Sequence, residues 1–539
     1  MLITAMGGSG RERHAGAPDQ AAQAERDATE HIPCHGNPLV IGSPGVAASS
    51  AIGYRSCAIR KPFMTVQLDS DAALAPANVR SGWSAELKAL FALAWPLVLA
   101  QLAQNALFTS DVIMMGWLGP KYLAGGALAT AFFNMFLIGS IGLVGVVAPM
   151  VAQALGARDL RSVQRTLRTA FWVVIAIAAV LIPVVWQVKP ILLALGQNPE
   201  ATDLAQDFVH HAAWLFLPAL GLIVLRSFLS AHGVTRPILV ITILGIFINA
   251  GLNYCLMFGN FGFPRLELKG SGISTATVNL LMFLMMLGYV LWHRRYRRYN
   301  IFGNFFAIDW ARFREMFRIG TPIGLTVMAE VGLFSAAAIL MGLLGTDEVA
   351  AHAVALQITS MAFMVPLGLS QATTVRVGLA YGAGSREGIR KAGWSSIGLT
   401  LAFESITCTL FLLFPLRLVT FFLDPSHEAN VHAIGLAATY LIVSALFQVV
   451  DGTQAIAAAS LRGLNDTKVP MIIAIVGYWL VGLPVAYLCG FVLDWRGVGV
   501  WSGLAAGLAF VAIVLTVRFA MRERLNLIRF DKLREQLDA

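Results

Sequence analysis

The segments ALFTSDVIMMGWLG, residues 106–119, and GLFSAAAILMGLLG, residues 332–345, decide the fold of this chain, because the second repeats the first. One shift of 226 residues superposes them, and the same shift without a gap places Pro96 on Pro322 and aligns several glycines downstream. Apolar helices resemble one another in general, but that likeness would not align proline and glycine at a single offset. The chain therefore contains two copies of one structural unit.

The composition indicates a membrane protein. Of the 539 residues, 57% are hydrophobic and 13% are charged, and the mean hydropathy is +0.70. Soluble domains carry about 25% charged residues. Apolar runs of about 20 residues, each long enough to cross the hydrocarbon core, recur between residues 89 and 522. We therefore expect an all-α polytopic membrane protein.

Twelve transmembrane helices are predicted, six in each copy of the repeat. Two six-helix halves enter the membrane in the same orientation, so we expect two pseudo-symmetric lobes related by a two-fold axis along the membrane normal, with the substrate path between them. The predicted spans are 89–114, 123–152, 167–188, 208–230, 237–258, 271–292, 319–343, 350–379, 392–414, 434–460, 470–493 and 498–520.

The predicted domain organisation begins with an extension, residues 1–85, that is rich in Ala, Gly, Ser, Pro and charge. Such a composition favours disorder. We hypothesise that translation starts at Met64; peptides from residues 1–63 in the native protein would contradict this. The other parts are the first lobe (86–292), a cytoplasmic link (293–318), the second lobe (319–522) and a cytoplasmic tail (523–539).

The formal net charge of +9 follows from membrane topology rather than from binding to nucleic acid. Basic residues gather in the connections after even-numbered spans and in the C-terminal tail, and few lie after odd-numbered spans. By the positive-inside rule both termini face the cytoplasm. We expect a multi-pass protein of the bacterial inner (plasma) membrane whose partners are the lipid bilayer and small molecules, and we expect a monomer.

Several functional classes are disfavoured by missing motifs. The five cysteines are scattered without metal-binding spacing, so neither disulfides nor zinc are expected. The chain has no H-E-x-x-H, G-x-S-x-G or Walker motif, which argues against an enzyme and against ATP-driven transport. We therefore predict a transporter without a cofactor.

Four acidic residues lie inside predicted spans, and three of them are the strongest functional signal. Asp111, Glu330 and Asp451 each place a carboxylate where charge costs about 3 kcal/mol or more, so such residues usually serve ions, protons or substrate. We predict that they bind and couple a cation. The repeat partner of Glu330 is Gln104, and that of Asp111 is Ala337, so the charges break the symmetry.

Polar and adaptable side chains accompany two of these acids. Gln448 and Gln454 lie three residues before and after Asp451, on the same helix face. Met and Phe side chains within one turn of the acids offer an adaptable apolar surface. The predicted substrate-cavity residues are Gln104, Met328, Phe447, Gln448 and Gln454.

Other polar positions leave alternatives open. Asn249 and Asn253 lie one turn apart in the fifth span and either join Asp111 in a functional polar cluster or form interhelical hydrogen bonds worth about 1 kcal/mol. Glu404 in the ninth span has no amide neighbour on its own helix face, and its role stays open. Arg376 is expected near a helix end with its charged head reaching the interface.

Five segments together resemble a known family, although each alone would be weak. They are AWPLVLAQLAQNALFTSDVIMMGWLG (94–119), APMVAQALGARD (148–159), MAEVGLFS (328–335), TVRVGLAYGAG (374–384) and DGTQAIAAASLRGLNDTKVP (451–470). Over about residues 86–522 the chain resembles the multidrug and toxic compound extrusion (MATE) family, particularly its NorM-like branch.

The resemblance implies two lobes that alternate between inward-facing and outward-facing states. It also implies export of amphipathic, often cationic drugs in exchange for H⁺ or Na⁺. By resemblance, Glu330 and Asp451 match the acids of the second-lobe cation site, which would be the place for Na⁺ if Na⁺ is the coupling ion. Asp111, Asn249 and Asn253 match the polar cluster of the first lobe.

One departure from the family bears on the coupling ion. NorM-like proteins can place a Tyr one turn before the second-lobe Asp, and this chain has Phe447 there. Losing that hydroxyl weakens a Na⁺ site and slightly favours H⁺. The alternative function is a lipid-linked sugar flippase of the same broad superfamily. Such proteins carry more basic residues in the central cavity, whereas the mid-membrane positions here are acidic.

Overall fold

The computed structural model describes residues 82–301, 303, 305–426 and 428–531, without the side chains of residues 428 and 429. Regular structure within these ranges consists of helices, with no β-strand among the described residues. The predicted disorder of the extension, apart from residues 82–85, and the proposed start at Met64 fall outside the described residues. They stay predictions.

Within the described residues, twelve helices are long and apolar enough to cross a membrane, as predicted. They are α1 (Trp83–Leu118), α2 (Pro120–Gly156), α3 (Leu160–Trp186), α4 (Pro199–Ala231), α5 (Arg236–Phe258), α6 (Glu267–Trp292), α7 (Trp310–Leu344), α8 (Thr346–Gly382), α9 (Arg386–Leu413), α10 (Asn430–Gly463), α11 (Lys468–Val492) and α12 (Arg496–Ala520). Shorter helices in the connections are Val188–Ala194, Arg294–Arg297 and Pro415–Thr420. The fold class is confirmed.

Most of the helices are longer than the apolar runs that predicted them. Helix α1 starts at Trp83, inside the predicted extension, and α7 starts at Trp310, inside the predicted link. The helices extend into the polar residues that flank the apolar runs, because backbone hydrogen bonding does not depend on hydrophobic side chains. At α7 the start is set by Asp309, whose carboxylate accepts a hydrogen bond from the backbone N–H of Arg312 at 3.1 Å.

The two lobes, α1–α6 and α7–α12, meet at one end of the bundle. Consecutive helices run in opposite directions, so the described chain begins and ends at the same face, here named the terminal face. Buried apolar side chains form one cluster per lobe, and the first cluster continues into α7 and α8. Residues 366–381, the half of α8 at this face, are nearly all buried, whereas residues 346–365 alternate between buried and exposed. The lobes are therefore in contact at the terminal face, and they separate from each other towards the opposite face.

Glycines bring the lobes into backbone contact. A methyl group added to Gly142 of α2 would lie 2.6 Å from the Cα atom of Gly324 in α7. One added to Gly368 of α8 would lie 2.6 Å from the Cα atom of Val98 in α1. The 226-residue shift aligns Gly142 with Gly368 and Val98 with Gly324. Each contact is therefore the repeat of the other.

A second pair of contacts obeys the same rule nearer the terminal face. A methyl group on Gly156 would lie 2.2 Å from the carbonyl oxygen of Leu379, and one on Gly382 would lie 2.0 Å from that of Gln153. Contacts that exchange their partners in this way define a two-fold interface. The repeat in the sequence is thus a pseudo-two-fold axis between the lobes.

A buried ion pair breaks this symmetry. Glu86 of α1 and Arg376 of α8 are joined by two hydrogen bonds, Nε to Oε1 at 2.9 Å and Nη2 to Oε2 at 2.5 Å. Both side chains are less than 10% exposed, so Arg376 does not reach the interface as expected. The bidentate geometry holds the guanidinium inside the interface between the lobes, where α1 and α2 contact α7 and α8 and which is here named the seam. The repeat partner of Arg376 is Met150, so the pair has no counterpart.

We predict that Gly324→Leu prevents this closure, because its side chain would overlap the backbone of α2. Overpacking of this kind costs about 1–3 kcal/mol. The melting temperature of the purified protein should fall. Gly288→Leu in α6 is the control, because nothing lies within 4 Å of an added methyl group there. Equal melting temperatures for the two variants would contradict the close backbone contact between α2 and α7 at the seam.

We predict that Glu86→Gln destabilises the closed terminal face by about 3–5 kcal/mol, because it removes the carboxylate that neutralises the buried guanidinium. The double variant Glu86→Gln, Arg376→Gln should lose less, and Lys88→Gln, an exposed neighbour, should change little. Thermal melting of all variants measures the coupling. Additive losses in the double variant would show that the pair does not hold the lobes together.

Candidate functional site

The first lobe brings its acid and both asparagines together. Asp111 of α1 and Asn249 and Asn253 of α5 are all buried. Asn253 Nδ2 donates to Asp111 Oδ1 at 2.6 Å and lies 3.4 Å from Asn249 Oδ1. The one-turn spacing places both amides on the face of α5 that meets α1. The three residues thus form one polar cluster, as the sequence analysis grouped them.

A third helix completes this cluster. Thr275 of α6 donates to the backbone carbonyl of Ser271 at 2.9 Å, and its Oγ1 lies 3.5 Å from Asp111 Oδ2. Sequence reasoning did not find Thr275, because hydroxyl side chains are common in membrane helices and no spacing connects it to α1. Asn253 Oδ1 and Asn249 Nδ2 are buried without a hydrogen-bond partner. The cluster can therefore accept further polar contacts.

The second lobe holds two acids within electrostatic reach of each other. Asp451 of α10 is buried, and Glu330 of α7 is half-buried and interacts electrostatically with it. Gln454, one turn after Asp451 in α10, lies beside the Glu330 carboxyl group. Its Nε2 also donates to the hydroxyl of Tyr478 at 2.6 Å. The site therefore joins α7, α10 and α11.

Tyr478 is a residue of this site that the sequence analysis missed. It lies in the π-helical stretch Val476–Gly482 of α11, is fully buried, and interacts electrostatically with both Glu330 and Asp451. Such stretches are frequent at functional sites because they rotate side chains out of the regular helical phase. Tyr478 supplies a hydroxyl beside the acids, which Phe447 does not.

The structure divides the five predicted substrate-cavity residues into two groups. Phe447, Gln448 and Gln454 are less than 3% exposed inside the second lobe, where Phe447 packs between Phe334 and Trp501. They do not line an open cavity, because they pack against residues of α7, α9, α11 and α12. The other two, Gln104 and Met328, are partly exposed, and the Met328 sulfur sits beside Gly139 of the first lobe.

Glu404 belongs to the surroundings of Asp451. It is fully buried in α9, and a methyl group on Gly452 would lie 2.8 Å from its Oε1 atom. Gln448 Nε2 donates to Thr407 Oγ1 at 2.8 Å, and that hydroxyl donates to Glu404 Oε2 at 3.0 Å. The amide neighbour that Glu404 lacks on its own helix is supplied by α10.

Unpaired acceptor oxygens concentrate around these acids. A buried acceptor without a partner costs about 1–3 kcal/mol, so a cluster of them indicates a place for protons or a cation. Within the described ranges, no three His, Cys, Asp or Glu side chains are grouped so as to hold a metal ion by themselves, so a bound cation would need amide or hydroxyl oxygens as well. The buried unpaired oxygens are Glu404 Oε1, Gln448 Oε1, Asp451 Oδ1, Gln454 Oε1 and Thr400 Oγ1.

Comparison with known proteins agrees with the two-lobed architecture. A family model described as MatE matches the chain twice, over residues 96–255 and 322–488. The two matches start 226 residues apart, at Pro96 and Pro322. The family pattern therefore recognises the same repeat that the lobes show.

Curated relatives match most of their own length. The "Probable multidrug resistance protein NorM" of Mesorhizobium japonicum is 46% identical over 84% of this chain and 97% of the relative. The protein of the same name in Pseudomonas putida is 42% identical over 81% of this chain and 95% of the relative. The unmatched part of this chain is comparable in length to the N-terminal extension.

Solved structures show the same fold. The eukaryotic MATE transporter AtDTX14 superposes with a TM-score of 0.73 at 20% identity, covering 85% of this chain and 99% of that chain. An outward-facing multidrug resistance MATE transporter of the MOP superfamily gives a TM-score of 0.74 at 21% identity, covering 85% of this chain and 98% of that chain.

The fold and its buried acids define a multi-pass membrane protein of the two-lobed transporter class. Within that class the chain belongs to the MATE family, as the two family matches and the identity to its relatives show.

We predict that Asn253→Leu lowers stability by about 1–3 kcal/mol, because Asp111 loses its closest donor while staying buried. Adding Asp111→Asn should recover part of the loss, because a neutral amide is cheaper to bury than a carboxylate. Thermal melting measures both. Asn279→Leu, where the amide donates to a carbonyl of its own helix, is the control. No recovery in the double variant would show that Asp111 and Asn253 are not coupled.

Proposed function

We propose that the protein is a cation-coupled antiporter that exports amphipathic, often cationic drugs and toxic compounds by alternating access. Membership of the MATE family supports transport, and the relatives named as probable multidrug resistance proteins support drugs as the substrates. One observation carries the coupling. Asp451, with Oδ1 buried and unpaired, lies within electrostatic reach of a second acid, Glu330, on a helix at the seam.

The second-lobe site supplies the coupling step. With the site empty, two carboxylates lie within electrostatic reach of each other inside the bundle, and the guanidinium of Arg462 offsets the charge of Glu330. Holding the second carboxylate there is costly. A cation arriving at Asp451 and Glu330 removes one of the two negative charges, relieves their repulsion and favours the state that releases drug. A drug arriving from the other side favours release of the cation. The coupling ion is H⁺ or Na⁺, and the Tyr478 hydroxyl offers Na⁺ the oxygen that Phe447 lacks.

Orientation decides which way drugs move. The bias of basic residues towards connections at the terminal face supports a cytoplasmic position for that face and for both termini. The closed seam then corresponds to an outward-facing state, in which the parted halves of the lobes admit cations and release drug outside. We infer a place in the bacterial inner membrane, where the cation gradient needed for export exists.

The partners follow from the same geometry. Gln104 and Met328 are partly exposed, and Met328 lies beside Gly139 of the other lobe. They are the predicted residues that still fit a drug-binding surface. A thioether can adapt its shape to different apolar ligands. Both acids and both lobes come from one chain, which supports a functional monomer. No resident cofactor enters this mechanism.

We predict that Asp451→Asn and Glu330→Gln abolish ethidium efflux driven by a cation gradient in proteoliposomes. Efflux is measured under a Na⁺ gradient at constant pH and under a pH gradient in Na⁺-free buffer, and the gradient that drives wild-type efflux names the ion. Efflux should fall to the level of protein-free liposomes, because the amide can neither take up a proton nor neutralise Na⁺.

Asp424→Asn is the matched control, because Asp424 lies exposed in the connection between α9 and α10. It should keep wild-type efflux. Drug efflux by the wild type that neither gradient drives would contradict coupled export and would favour the flippase alternative, which a lipid-linked sugar translocation assay would then test.

A further inference from the structure

Glu404 is a third carboxylate in the second lobe that the exchange proposed above does not use. It is fully buried at the middle of α9, and it lies within electrostatic reach of Asp451 on the neighbouring helix. A carboxylate at this depth needs a reason, because simple packing would be served better by an apolar side chain.

One of its two oxygens is anchored. Oε2 accepts the hydrogen bond from Thr407 at 3.0 Å, and Thr407 in turn accepts from Gln448 Nε2 at 2.8 Å. This chain of bonds fixes the carboxylate against α10. It also turns the carbonyl end of the Gln448 amide away from Thr407, because the amide nitrogen makes that contact.

Three further oxygen atoms of this part of α9 and α10 have no hydrogen-bond partner. Glu404 Oε1 and Gln448 Oε1 are buried and unpaired, and so is Oγ1 of Thr400, one turn before Glu404 on α9. Built onto Gly452, a methyl group would lie 2.8 Å from Glu404 Oε1 and 3.0 Å from the Thr400 methyl carbon. The absence of a side chain at Gly452 therefore lets both residues approach α10 beside Asp451.

We propose that Glu404 forms a second cation-binding position in this lobe, between α9 and α10, which takes a monovalent cation, H⁺ or Na⁺, through Glu404 Oε1, Gln448 Oε1 and Thr400 Oγ1. The position adjoins the Asp451 and Glu330 site, and the proposal rests on the antiport function proposed above. Positive charge satisfies acceptor oxygens that the protein leaves unpaired, and hard oxygen ligands suit a small cation.

The consequence is a higher exchange ratio. If Glu404 loads and unloads together with Asp451, each cycle moves one cation more than the Asp451 and Glu330 site would move alone. A purely structural Glu404 would keep its proton throughout the cycle and would not change the ratio. The two roles therefore differ in a quantity that does not depend on the transport rate.

The test is the ratio of cations to drug at zero net flux. Proteoliposomes with the membrane potential clamped at zero receive a roughly tenfold gradient of Na⁺ at constant pH, or of H⁺ without Na⁺. The ethidium gradient that just stops net flux is then read. Because a coupled cation shifts this balance only by its own free-energy difference, E404Q should sustain about a tenfold smaller ethidium gradient than the wild type.

The outcomes separate the two proposals. An unchanged ratio in E404Q, with wild-type efflux still driven by a cation gradient, would overturn the role of Glu404 and leave the antiport function standing. Absence of any cation-driven efflux in the wild type would overturn both. Ser405→Ala is the control, because Ser405 is exposed on the same helix and bonds to the carbonyl of Leu401.

The wild type also gives a test that does not depend on the stability of E404Q. With Asp451 and Glu404 both exchanging, the wild-type ratio is at least two cations per drug molecule. A ratio of one in the unmodified protein would overturn the proposal.

Discussion

The cost of holding carboxylates in a membrane-spanning bundle is the constraint on which the rest of this structure depends. In the first lobe the protein meets it with donors, since Asn253 and Thr275 approach both oxygens of Asp111. In the second lobe the protein offsets the cost of the buried carboxylates only in part. Asp451 and Glu404 each keep an oxygen unpaired although they are buried. Asp111 is therefore compensated within its own lobe, whereas the unpaired oxygens of the second lobe support our proposal that a cation binds there.

The backbone contacts between the lobes follow the two-fold symmetry, whereas the buried charged residues do not. Glycine contacts such as that between Gly142 and Gly324 recur under the 226-residue shift, so both lobes share one kind of seam. The charges do not follow the shift, since Arg376 pairs with Glu86 and its repeat partner Met150 is apolar. A two-fold seam allows the lobes to rock as equivalent bodies. The carboxylate oxygens left unpaired in the second lobe support our proposal that this motion depends on a cation.

Much of this was predictable from the sequence, because hydropathy and one repeat offset depend on residues close to one another along the chain or at a fixed distance. Hydropathy and the repeat predicted the twelve helices. The grouping of Asp111 with the asparagines of α5 was one of two interpretations of those residues, and the resemblance to the MATE family favoured it. What escaped prediction arises between helices that no spacing connects. Glu404 obtains its amide contact from α10 through Thr407, and Arg376 meets an acid 290 positions away. Phe447 shares the helix of Asp451 but packs into the lobe core, because the direction a helix face takes depends on its neighbours.

The central claim is that cation occupancy of the second lobe decides which face of the bundle is open. Lys121 and Asp347 are repeat partners, both exposed at the opposite face, one in each lobe. Spin labels at these two positions would report the separation of the lobes by double electron–electron resonance. We expect the coupling cation to increase the population with the longer distance, and we expect Asp451→Asn to remove that response. A distance distribution that ignores the cation in the wild type, or responds equally in Asp451→Asn, would contradict the account.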